Sequence, residues 1–243
     1  MRLSFLYIHL LTNGIVLTIA SSAALSQVTA GMCGDYRSNL QWDYRTASPA
    51  QRREVEGAHF VPKVENLIAG NRGYLGGDLH YTLGASPNHH RALVSITRWS
   101  ERLKADHLPK MPFSVECYFV RGLAFKPDDY VVRMLYAQFL IGKARPADAT
   151  KQLEVVEGTA ADNAFTLYNL GLIYFDMKNY AQAMAFAHKA MAMGFLRTEL
   201  RDQLEKVGRW SEPAAALPEP AASPTQAASK PASTEPAAVP AKD

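Results

Sequence analysis

The side chains best suited to chemistry fall between positions 59 and 90: His59, Asp78, His80, His89 and His90. Imidazole and carboxylate are donors that zinc and similar ions accept, so His80, His89 and Asp78 form a candidate metal set. Their spacing is not that of an HExxH helix or a paired Cys/His site, and adjacent His89 and His90 face different sides of any helix. The competing expectation is structural: His89 or His90 caps or packs at a helix start, with Asn88 as the N-cap. The run Gly70-Asn71-Arg72-Gly73-Tyr74-Leu75-Gly76-Gly77 lacks the Gly-Lys-Ser/Thr ending of a phosphate loop and reads as turns that need positive φ. There is no Gly-x-Ser-x-Gly elbow and no carboxylate pair that stands apart from its helical surroundings. The chain is therefore expected to be non-catalytic and to require no cofactor.

Helices must position these groups. Residues 89–103 carry Leu93, Ile96, Trp99 and Leu103 as one apolar stripe. Residues 56–69 place Phe60, Val64, Leu67 and Ile68 at helical spacing, interrupted at Pro62, while residues 78–83 are long enough for one helical turn or a loop end. Further along, small and apolar residues recur every 34 positions. Val115, Ala149 and Ala183 make one column, and Gly122, Val156 and Ala190 a second. Leu103, Ala137 and Gly171 make a third, with Trp99, Arg133 and Leu167 a degenerate fourth. That period belongs to stacked helix–turn–helix units, which approach closely only where a side chain is small.

The sequence Leu167-Tyr168-Asn169-Leu170-Gly171-Leu172-Ile173-Tyr174, followed by Tyr180, Ala183 and Ala190, resembles the tetratricopeptide repeat (TPR) family. Three units follow from it, at residues 96–129, 130–163 and 164–197. Gly194-Phe195 stands where the family closes with Pro, Arg133 replaces a large apolar residue, and Pro109 and Pro112 interrupt the turn of the first unit. Leu200, Leu204 and Val207 then have the spacing of a capping helix. The resemblance implies an all-α fold: a short α-solenoid of about three TPR-like helix pairs with a cap, over residues 96–211. An irregular or helical segment, residues 31–95, precedes it. The resemblance also implies a concave groove formed by Val131, Met134, Gln138 and Ile141 from one unit and Phe165, Tyr168, Leu172, Phe175 and Asp176 from the next. Asn169 falls where some members hold a peptide backbone or terminal carboxylate, but the basic residues that complete such a clamp are missing at the matching sites. The alternatives are that this strip packs on the capping helix, on the N-terminal segment, or on a second copy of the chain. The chain is similar as well to a group of exported bacterial TPR proteins that share Cys33-Gly34, Asp43-Tyr44-Arg45, Gly76-Gly77-Asp78-Leu79 and Asn88-His89-His90-Arg91-Ala92-Leu93; that likeness implies architecture and export, not an activity.

The ends of the 243-residue chain bound the compartment. Arg2, an apolar run over residues 3–20 and small residues before Ser26 and Ala30 form an export signal, residues 1–30, cleaved after position 26 or 30. An uncleaved anchor is the alternative; no other stretch is long and apolar enough to span a bilayer. In an oxidising compartment the two cysteines, Cys33 and Cys117, favour one disulfide over two buried thiols. Residues 212–243 are nearly all Pro, Ala, Ser, Thr and Glu, the composition of a disordered tail. A net charge of +3 gives no footing for nucleic acid. The expectation is a periplasmic or secreted scaffold or assembly factor that binds a peptide or protein of the cell envelope. The rival is a small metal-binding protein or metal-dependent enzyme.

Overall fold

Six of the helix starts among the described residues are marked by side chains that accept the first orphan backbone N–H groups. The computed structural model describes residues 30–34, 41–159 and 162–213. Ser48 opens α1 (Pro49–His59) with a reciprocal capping box to Gln51. The four-residue α2 (Pro62–Glu65) starts on a proline, and α3 (Leu75–Ala85) follows the glycine-rich turn. His89 caps α4 (His90–Leu103), Ser114 caps α5 (Val115–Phe125) and Asp129 caps α6 (Tyr130–Gly142). The later helices are α7 (Pro146–Thr159), α8 (Ala164–Asp176), α9 (Tyr180–Ala192) and α10 (Glu199–Lys206), with Asn163 and Asn179 capping α8 and α9. Among the described residues the only strand-like feature is an isolated antiparallel bridge between His107 and Ser114. The fold is all-α, and no described helix is long and apolar enough to cross a membrane.

The packing order follows the chain. α6 pairs with α7 and α8 with α9, each across a short turn, and α4, α6 and α8 lie side by side. α6 and α8 begin 34 positions apart, as do α7 and α9. The residues of the first two columns, Val115, Ala149, Ala183, Gly122, Val156 and Ala190, are all buried. Gly171 shows why one member of the third must be small: a Cβ there would lie 2.5 Å from Leu200 Cδ2 of α10. α10 packs on both α8 and α9, so the last apolar face is covered.

Several local expectations change. The period is broken in the first pair, because the connection between α4 and α5 runs from 104 to 114 and inserts Leu108 and Met111 into the core. Its Pro109 carbonyl crosses α3 so closely that a Cβ on Gly76 would sit 1.9 Å from it. Leu103, read as part of the buried stripe, is 45% exposed for the same reason. Within residues 41–95, α1 and α2 pack on α3, and α2 and α3 pack on α4. Cys33 and Cys117 form a disulfide that ties a 3-10 turn (Ala30–Cys33) to α5, where Arg121 donates to the Cys33 carbonyl. Residues 1–29 of the expected signal and 214–243 of the expected tail lie outside the described residues.

Candidate functional site

The histidines do not meet. Asp78, buried in the first turn of α3, takes hydrogen bonds from the Asn71 and Arg72 backbone N–H groups on Oδ2 and from His59 Nδ1 on Oδ1 at 2.7 Å. Burial would raise its carboxyl, but the Asn71, His59 and Arg72 donors outweigh that and hold it below the usual range. The glycine-rich turn thus wraps a carboxylate of its own chain. His80 shares a hydrogen bond with the Tyr118 hydroxyl at 2.9 Å, and burial, with Arg121 nearby, lowers its pKa.

His89 is wholly buried in a ring of Trp42, Tyr44 and Phe60. Its Nδ1 accepts from the Ala92 N–H, so the proton of the neutral ring sits on Nε2, facing Glu56 Oε1 at 3.4 Å. Burial depresses this imidazole to about 3. His80, His89 and Asp78, the candidate metal set, therefore belong to three separate hydrogen-bonded groups. Among the described residues no three His, Cys, Asp or Glu side chains converge as metal ligands do.

Of the residues expected at this helix start, His89 is the one that caps α4, while Asn88 turns inward. Asn88 accepts from the Tyr44 N–H and donates to Asp43 and Asp129, and His90 Nε2 donates to Asp129 at 2.8 Å. Arg45 joins Asp43 to Asp128. Asp43-Tyr44-Arg45 and Asn88-His89-His90, far apart in sequence, form one latch that fixes the N-terminal segment across the start of α4 and the turn before α6.

The open surface lies elsewhere. α4, α6 and α8 share a groove of about 260 Å³. α4 supplies Val94, Thr97, Arg98 and Glu101; α6 supplies Leu135, Gln138 and Ile141; α8 supplies Asp176. Burial raises the Asp176 carboxyl above its ordinary value. Of the expected groove residues, Gln138, Ile141 and Asp176 are brought together here. Val131, Leu172 and Phe175 are half-buried and lean on the core beside it, whereas Met134 is within the core.

Phe165, Tyr168 and Asn169 are occupied in other ways. The Tyr168 hydroxyl donates to Glu199 Oε2 at 3.1 Å and accepts from the Leu200 N–H, and its ring lies 4.9 Å from Phe195. Phe165 meets Phe195 edge-on at 6.2 Å. Asn169 donates back to the Phe165 carbonyl. The segment leading into α10 thus covers Tyr168, because a terminal helix pair needs its apolar face closed, while Phe165 stays 57% exposed despite its edge contact with Phe195. The α4 contribution was missed, although Val94, Thr97, Arg98 and Glu101 stand at i, i+3, i+4 and i+7 beside the stripe that was read.

Comparisons with family models, with curated proteins and with solved structures find no match to this chain. The geometry of these surfaces is what any reading of function must rest on.

Proposed function

We propose that this is an exported, non-catalytic TPR-like scaffold or assembly factor that holds a peptide or protein of the cell envelope in the groove of α4, α6 and α8. One observation carries this reading: three alternate helices, α4, α6 and α8, leave a shared face lined by aliphatic and charged side chains. Val94, Leu135 and Ile141 offer apolar contact, and Arg98, Glu101, Gln138 and Asp176 offer polar contacts at its edges. Such a mixed surface suits a side-chain stripe of an extended or helical partner. The 34-residue spacing of helix starts and the cap formed by α10 support the TPR-like assignment. The disulfide and the apolar leader support export to an oxidising compartment.

The test is capture from an envelope extract by the natural chain and by an Arg98→Glu, Gln138→Glu double variant. Both positions are exposed, so the variant should keep its helical circular dichroism and melting temperature. A partner held by the natural chain and lost by the folded variant supports the reading. Equal capture by both, or capture by neither, overturns it. Tyr168→Asp is unsuited to this purpose, because it would break the Glu199 and Leu200 contacts and free α10.

A further inference from the structure

A second, wider cavity lies at the α8–α9 turn and shares no residue with the α4–α6–α8 groove. It is an open trough of about 570 Å³ beside α9, walled by Tyr180, Met184 and Trp210, with Lys178 and Arg209 at its rim. Its size is that of a ligand site.

The course of the chain after α10 points at it. Gly208, at φ +67°, reverses the backbone. Trp210 then meets His188 edge-on at 4.7 Å and lies under the Arg201 guanidinium. The Ser211 carbonyl accepts from His188 Nε2 at 2.9 Å, and the Ser211 hydroxyl reaches Met184 Sδ at 3.3 Å. His188 and Met184 are one turn apart on the same face of α9. From Trp210 to Ser211 the chain therefore runs antiparallel to α9, toward its N-terminus. The next turn on that face is Tyr180 and Ala181, which line the trough. One helical turn is about 5.4 Å, and an extended proline-containing strand covers about 3.1 Å per residue. Two residues beyond Ser211 suffice, and Pro213 is the second.

The residues that follow are Ala214-Ala215-Ala216-Leu217-Pro218-Glu219-Pro220. Their chemistry complements the trough. Leu217 is one of only two long aliphatics beyond position 212, prolines pack on aromatic walls in the polyproline conformation, and Glu219 supplies one negative charge to a trough that holds Lys178 and Arg209. Neither Lys178 nor Arg209 makes an ion pair with a described residue. A segment tethered two residues away experiences an effective concentration in the millimolar range, so even a weak intrinsic affinity fills the site.

We propose that the α9 trough is a docking site for an extended, proline-rich segment and that its occupant is this chain's own residues 214–220. The remaining tail then departs from a fixed point at the α8–α9 turn.

The experiment compares the full chain with the chain ended at Pro213, matched for helical circular dichroism. Two probes sit in the trough: the Met184 ε-methyl resonance, assigned with Met184→Leu, and acrylamide quenching of Trp210, assigned with Trp210→Phe. Ending the chain at Pro213 should shift the methyl signal and increase the quenching. A peptide of residues 213–221 added at millimolar concentration should restore both, and Leu217→Asp in the full chain should reproduce the truncation. Identical signals from the full and shortened chains overturn the proposal. A difference that appears only as protein concentration rises also overturns it, because the occupant is then the tail of a second copy.

Discussion

The side-chain amide of Asn88 donates to the Asp129 carboxylate across 2.8 Å, and neither residue touches solvent. Asp129 also caps α6 through the Val132 N–H and accepts from His90. Burial would raise its carboxyl, but the His90, Asn88 and Val132 donors together hold it below 3.8. Asp129→Ala removes a helix cap and takes one acceptor each from the buried Asn88 amide, which keeps Asp43, and the half-buried His90 ring, a loss of about 2 kcal/mol. Urea unfolding should show a lower midpoint, with the denaturant slope unchanged. The Asp129 contribution is complete above the ordinary carboxyl value and is lost as pH falls through the lower folded one.

His89 predicts a pH dependence in the same direction from a different cause. Its folded value of about 3 lies below the ordinary 6.5, so between those values the unfolded chain binds a proton that the folded chain does not. Stability from this group is complete well above pH 6.5 and declines as pH falls toward 3, by about 1.4 kcal/mol at pH 5.5. His89→Asn keeps a side chain able to cap α4 and removes the titration. Its unfolding midpoint, measured from pH 7.5 to 5.0, should fall less steeply than that of the natural chain; parallel curves would refute the assignment.

Two neighbouring glycines in α3 should respond with opposite sign. Gly76→Ala drives a methyl group into the Pro109 carbonyl, so either α3 or the 104–114 connection must move. Gly77→Ala meets nothing within 4 Å and should stabilise by roughly 0.5–1 kcal/mol through the unfolded chain and helix propensity. Thermal melts of the two variants distinguish a contact requirement from a conformational one.

Reducing the disulfide releases a closure of 84 residues. The chain-entropy model puts its contribution at about 4 kcal/mol. The Cys33→Ser, Cys117→Ser double variant should therefore melt well below the natural chain while α6 to α10 retain their helical signal. A melting temperature equal to that of the oxidised protein would show that the 3-10 turn and α5 are held together without the bond.

Helix identity was legible in the chain because it depends on local chemistry. Residues 164–192 read as a helix pair since Gly171, Ala183 and Ala190 recur at positions where backbones approach, and the boundary residues Asn163 and Asn179 carry their own caps. The same local reasoning misplaced the first pair. Nothing near Leu103 announces that the following eleven residues will cross α3, because that depends on a gap at Gly76, far away in sequence.

Periodicity and composition alone determined the 34-residue spacing and the two ends that differ from the middle, and the resemblance carried by that spacing implied the all-α class. Each of these follows from interactions within a turn or two of helix, or from the solvation of single residues. Tertiary packing decided which exposed-looking residues stay exposed. Tyr168 lost its place in the groove to Glu199 and Leu200, and Val94, Thr97, Arg98 and Glu101 gained one because α4 lies beside α6. It also decided the fate of the histidines, since a hydrogen bond from His59 to Asp78 or from His90 to Asp129 needs segments 19 and 39 positions apart to be brought within 3 Å. Chain distance carries no information about such pairs; only the docking of one helix on another does.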